Sequence, residues 1–186
     1  MALRRGFKAE ANSLARALRS ELGLLFKAPL NPWKLAEHLD IPIMTLSEMR
    51  ESVPIPVNYL STLGNDEFSA VTVFDDTRRV ILHNDNHTLG RQASDIAHEL
   101  AHGILLHSPH QAIDTNGSRY WDATMEEEAN WLSGALLISE EAAIEIAKLN
   151  LSVPEAAERY GVSKQMINFR LSVTGARKRA SFIRAR

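Results

Sequence analysis

The chain of 186 residues contains no cysteine. Disulfides and thiolate metal sites are therefore excluded, and any metal must be held by histidine and carboxylate. Long apolar runs are also missing. None approaches the ~20 residues a membrane helix needs, and Met1 to Lys8 lack the apolar core of a signal peptide. The cytoplasm is the expected compartment, with no membrane partner. Nor is there an excess of one charge. The formal net charge is −2, which gives no general attraction for nucleic acid or lipid headgroups. With 45% hydrophobic residues, a chain of this length can still bury a real core.

The most informative stretch is His98-Glu99-Leu100-Ala101-His102. Around it, apolar residues fall at 93, 96, 97, 100, 101, 104 and 105, the spacing of a helix with one buried face. Two histidines four apart on a helix lie one turn above each other, so both imidazoles can reach one point. Neutral imidazole is a good zinc ligand, and a glutamate after the first histidine can serve as general base. Zinc is the expected cofactor, one per chain. The motif alone can arise by chance, so its context matters.

Hydrolytic zinc sites use three protein ligands and leave a fourth position open. Without cysteine, the third must be His, Asp or Glu, and Glu126-Glu127-Glu128 is the obvious source. The spacing predicts a helix here, opened by a capping box over Thr124 to Glu127 and running to about Ile138. Its core stripe is Met125, Ala129, Leu132 and Leu136. At ~100° per residue, Glu126 lies nearest that stripe. Glu126 is the choice, with Glu128 kept as the alternative. Acids near a helix start also suit the macrodipole without any metal, which accounts for Glu127. Asn130, one turn on, can hydrogen-bond a ligand from behind. His83, His87, His107 and His110 read as surface histidines. Tyr59, His107 and Tyr120 are candidates to stabilise an oxyanion, with none preferred.

Elsewhere, the pattern predicts an amphipathic helix over 7–27 and a helix after Asn31-Pro32, with Asn31 as cap. A strand near 41–46 and a loop over 47–59 follow. A hairpin joins 69–74 to 79–84 through a turn at 75–77. A strand beside a zinc helix can pair with an extended peptide. Asn86 or Thr88 is expected to cap the zinc helix, and 108–121 reads as loop.

These residues look like a known family. Ala97-His98-Glu99-Leu100-Ala101-His102, then Glu126-x-x-Ala129-Asn130 and Leu136-Leu137, resembles the ImmA/IrrE zinc metallopeptidases. Phe7-Lys8-Ala9-Glu10, Pro29-Leu30-Asn31-Pro32, Leu35 to Pro42 and Val80 to Asn84 are similar to the family's flanking regions, so the resemblance spans about 5–175. It implies an α+β, zincin-like minimal metallopeptidase core: helices plus a small antiparallel or mixed sheet. It also implies His98, His102 and Glu126 as zinc ligands and Glu99 as the catalytic glutamate. The implied substrate is a helix-turn-helix repressor, whose cleavage would regulate gene expression. One departure is Ser139, where the family often has proline, so the end of the preceding helix is not fixed. Some members carry an N-terminal repressor-type DNA-binding domain; none is found here.

Residues 151–171 have helix-turn-helix spacing, with Gly161 at the turn and Ile167 and Leu171 inward. Lys164, Gln165 and Asn168 would be the exposed N-terminal face of the second helix, where contacts to nucleic acid or a partner would lie. The expected organisation is a zinc metallopeptidase domain over 1–148, a helix-turn-helix-like helical subdomain over 149–175, and a basic, mobile tail over 176–186. The alternative function is a zinc-binding regulator that does not cut, but binds a repressor or DNA through its C-terminal segment.

Overall fold

A computed structural model describes residues 3–75, 78–107 and 122–184. The first helix, α1, spans Phe7–Glu21 and buries Phe7, Ala11, Ala15 and Leu18. It ends well before residue 27. Gly23 adopts φ 67°, Leu24 N donates to Arg19 O at 2.8 Å, and Gly23 N donates to Ser20 O at 3.1 Å. This left-handed glycine closure outweighs the apolar period that Leu25 continues. Helix α2 is Pro32–His38, and Asn31 caps it as expected, accepting from Trp33 N at 2.9 Å and Lys34 N at 3.2 Å.

Strand β1 is Ile43–Thr45. The segment expected as loop instead contains a 3-10 turn, Glu48–Arg50, and a helix α3, Pro54–Leu60. Pro54 occupies the first helical turn, where no backbone N–H is needed. Only Val57 of α3 is buried, so there is no apolar period to announce it. Strands β2, Ala70–Asp75, and β3, Arg78–His83, form the expected antiparallel pair, with Thr72 opposite Ile81. Residues 76 and 77 of the expected turn lie outside the described residues. β1 joins β3 in parallel, so the mixed sheet runs β1-β3-β2. Among the described residues, the outer edge of β2 has no strand beside it.

Helix α4, Leu89–Ile104, carries both motif histidines and packs on β2, β3 and α5. Thr88 is its N-cap residue, though its side chain makes no capping bond. Helix α5 is Ala123–Leu137. Its cap is Asp122, which accepts from Thr124 N at 2.9 Å and Met125 N at 3.2 Å. The box expected from Thr124 is displaced by this carboxylate, which sits two residues earlier.

The other end of α5 is held by two buried guanidiniums. Arg19 Nη2 donates to Leu136 O at 2.6 Å, and Arg170 Nε donates to Ile138 O at 2.8 Å. Both arginines are fully buried, and burial pulls each down to about 10. Cations at a helix C-terminus complement its dipole and its unpaired carbonyls. Ser139 then caps α6, Glu140–Lys148, and its hydroxyl donates to Phe26 O at 2.6 Å. The residue that left the helix end open thus marks where one helix stops and the next starts.

Helices α7, Val153–Tyr160, and α8, Lys164–Val173, flank Gly161 at φ 65°. Ile167 and Leu171 face inward as expected. The tail expected to be mobile folds as α9, Ala176–Arg184. Ala176 and Ala180, one turn apart, are buried, and Arg179 pairs with Glu140. Two buried alanines among the four basic residues of α9 leave little apolar signal. One buried cluster joins Ala97 and Leu137 to Tyr160, Ile167 and Leu171, so the core crosses the expected boundary between 148 and 149.

The turn between α7 and α8 also touches α4 directly. A Cβ on Gly90 would stand 2.8 Å from Val162 C and 2.9 Å from Ser163 N, both backbone atoms. Gly90→Ala is therefore expected to cost about 1–3 kcal/mol through overpacking. Urea unfolding checks this; a loss below ~0.5 kcal/mol would mean that the contact yields easily.

Candidate metal centre

Helical spacing places His98 and His102 one turn apart on α4, with ring centroids 4.7 Å apart and Nε2 atoms 3.0 Å apart. α5 lies alongside and delivers Glu126. Its Oε2 is 3.2 Å from His98 Nε2, and its Oε1 is 3.7 Å from His102 Nε2. The three donors lie within 4.8 Å of one another. Each side chain keeps about a fifth of its surface exposed, so the point they share is open on one side.

The electrostatics favour positive charge at that point. Burial alone would push the Glu126 carboxyl up, but hydrogen bonds to His102 and His98, and their charges, hold it well below the usual carboxylate range. Burial likewise opposes a charged His98, yet Glu126, Glu99 and Asn130 together raise its pKa. A carboxylate held ionised beside two imidazole nitrogens suits a divalent cation. Two nitrogens and one carboxylate oxygen also make a donor set that fits zinc.

Glu99 lies next to this cluster, and its Oε2 accepts a hydrogen bond from Thr72 Oγ1 at 2.6 Å. Thr72 is on β2, so the sheet edge and the glutamate are tied together. Asn130 lines the same cleft and helps to raise the His98 pKa. A cleft of about 750 Å³ opens over the site. Residues 67–70 form one wall, Asp95, His98 and Glu99 the floor, and Gln165, Met166 and Phe169 of α8 the facing wall. A second cleft, of about 780 Å³, lies by Arg78, Arg79 and Gly103 and includes none of the three donors.

Glu128 does not join the cluster. Its Oε1 accepts from Arg4 Nε at 2.8 Å, and its Oε2 is 3.6 Å from His107 Nε2. Glu128 is nevertheless more buried than Glu126. Closeness to the core stripe therefore picked the residue that the geometry supports, though it did not rank the burial of the two acids. The surface assignment of His83, His87 and His107 does not hold. His83 and His87 are buried, and His87 Nε2 meets Asn65 O at 2.9 Å, tying the segment before α4 to residue 65. His107 Nδ1 lies 2.9 Å from His102 Nδ1, behind the ligand ring, where it cannot meet a substrate oxygen through that atom. Tyr59 donates to Glu67 Oε1 at 2.9 Å. His110 and Tyr120 lie outside the described residues.

Lys164, Gln165 and Asn168 are all exposed, and Gln165 lines the cleft. Thr72 is the residue the sequence did not reveal. Its place in an alternating strand marks a face, but only the packing of α4 on β2 brings it to Glu99.

Among known families, the model described as IrrE N-terminal-like domain, Peptidase_M78, matches residues 36–172. No curated protein and no solved structure matches the chain.

Proposed function

Because the chain belongs to the IrrE N-terminal-like peptidase family, we propose that it is a zinc-dependent endopeptidase that cuts a helix-turn-helix repressor. The observation that carries the chemistry is the convergence of His98, His102 and Glu126 beside Glu99 in an open cleft. The three side chains hold the ion. When bound, zinc supplies Lewis acidity toward water and the scissile carbonyl. Glu99 takes the proton of the attacking water and hands it to the leaving amine. Asn130 orients the His98 ring. The substrate lies extended along the free edge of β2, where backbone hydrogen bonds hold the scissile bond over the site.

Thr72 keeps Glu99 aimed at the water. Thr72→Val should lower kcat about 10-fold, the order seen when a partner behind a site residue is removed. Zinc affinity should not change. Steady-state kinetics with a peptide substrate checks this; an unchanged kcat would mean that the sheet edge does not position the base.

The family resemblance nominates the repressor. In this proposal α8 serves as a wall for substrate, since Gln165, Met166 and Phe169 turn toward the cleft. The test is incubation with the repressor encoded nearest the gene, with and without chelator, followed by gel analysis. Cleavage only without chelator is expected. An intact repressor in both lanes, in a stable complex, would instead favour a regulator that binds without cutting.

A further inference from the structure

The end of α4 folds in an unusual way for its sequence. Leu106 adopts φ 55°, a left-handed conformation that side chains disfavour. His107 N donates to His102 O at 3.0 Å, and Leu106 N donates to Gly103 O at 3.1 Å. This closure is one that glycine usually makes. Here it reverses the chain and lays the His107 ring against His102, with centroids 5.0 Å apart.

The two Nδ1 atoms are 2.9 Å apart, so one must donate and the other accept. His102 turns its Nε2 toward Glu126 and His98. A ring that binds metal through Nε2 carries its proton on Nδ1. His107 Nδ1 must then accept, and the His107 proton sits on Nε2. That atom is buried, and the Glu128 carboxylate faces it at 3.6 Å. Glu128 is fixed in turn by Arg4 Nε at 2.8 Å, and the Arg4 fork is held by both oxygens of Glu10, each at 2.8 Å. With His102 Nε2 turned to the ion, the row has one arrangement of protons, in which the His107 Nε2 proton faces the Glu128 carboxylate across 3.6 Å, longer than a hydrogen bond.

We propose that His107, oriented by Glu128 and Arg4, is a positioning residue that fixes the His102 ring in the tautomer able to bind metal through Nε2. This rests on the reading of His98, His102 and Glu126 as metal ligands. A carboxylate two rings away from the ion then selects which nitrogen of His102 is free, and a residue near the start of the chain braces the metal helix.

The test uses the full chain and zinc alone. Zinc affinity is measured by chelator competition, with circular dichroism confirming the fold of each variant. His107→Phe should bind zinc about 10–100-fold more weakly. His107→Asn, whose amide oxygen takes the place of Nδ1, should recover most of that loss. Long-range 15N NMR of the zinc-loaded wild type should show His107 protonated at Nε2 alone, and zinc-free Glu128→Gln should show both tautomers. A folded His107→Phe that binds zinc as tightly as wild type would overturn the proposal, as would His107 protonated at Nδ1 in the wild type. If the wild type itself takes up no zinc, the ligand assignment has failed, and the two failures are distinguishable.

Discussion

Glu99→Gln is expected to lower the kcat for peptide cleavage by about 10²–10⁴, the range of general acid–base catalysis. The substitution keeps the size and shape of the side chain and replaces a proton acceptor with an amide. Its oxygen can still accept from the Thr72 hydroxyl, which lies 2.6 Å from Glu99 Oε2, so the position of the side chain should survive. Glu99 is not among the three converging donors, so zinc stoichiometry and affinity should stay at wild-type values. KM should change little, because the residue acts on the proton and not on the substrate backbone. Kinetics and metal analysis on one preparation separate these effects. Wild-type kcat in the variant would remove Glu99 from the chemistry, and a parallel loss of zinc would recast it as a ligand.

Glu126→Ala is expected to abolish the stabilisation that zinc confers. An ion at a thousandfold excess over its Kd adds about 4 kcal/mol to folding stability, which is roughly 8–16 °C in Tm for a chain of this size. Two imidazoles without the carboxylate leave a weak, incomplete site, so the Tm of the variant should no longer respond to zinc. Glu128→Ala should keep most of the response, because Glu128 is bound to Arg4 and faces His107 rather than the two ligand nitrogens. Calorimetric scans with and without zinc decide between the two acids. The reverse pattern would move the third ligand to Glu128.

Helix α4 was legible because its signal is local. One apolar face and two histidines a turn apart define both α4 and the pair of imidazoles it presents within a few residues. Asn31-Pro32 announced α2 for the same reason, as did the alternation of β2 and β3. What stayed hidden depends on distant partners or on competing short-range signals. The stop at Gly23 overrides an apolar period that runs on to Leu25. α3 starts on a proline and buries one residue. α9 is held by small alanines and an ion pair with Glu140. Arg19 and Arg170 are cations, yet both are buried on the end of α5 because its carbonyls need donors. At the site, the acid that converges with the two imidazoles could be ranked from spacing, but Thr72 and His107 could not. Thr72 arrives through the packing of a strand on a helix, and His107 through a backbone reversal at a leucine.

The central claim is a single zinc held by two residues of α4 and one of α5. Anomalous X-ray diffraction at the zinc edge, on crystals of the zinc-loaded chain, tests it most directly. One peak is expected, about 2.0–2.2 Å from His98 Nε2, His102 Nε2 and a Glu126 carboxylate oxygen. No peak between these residues, with the Glu126 carboxylate turned out to solvent, would contradict it.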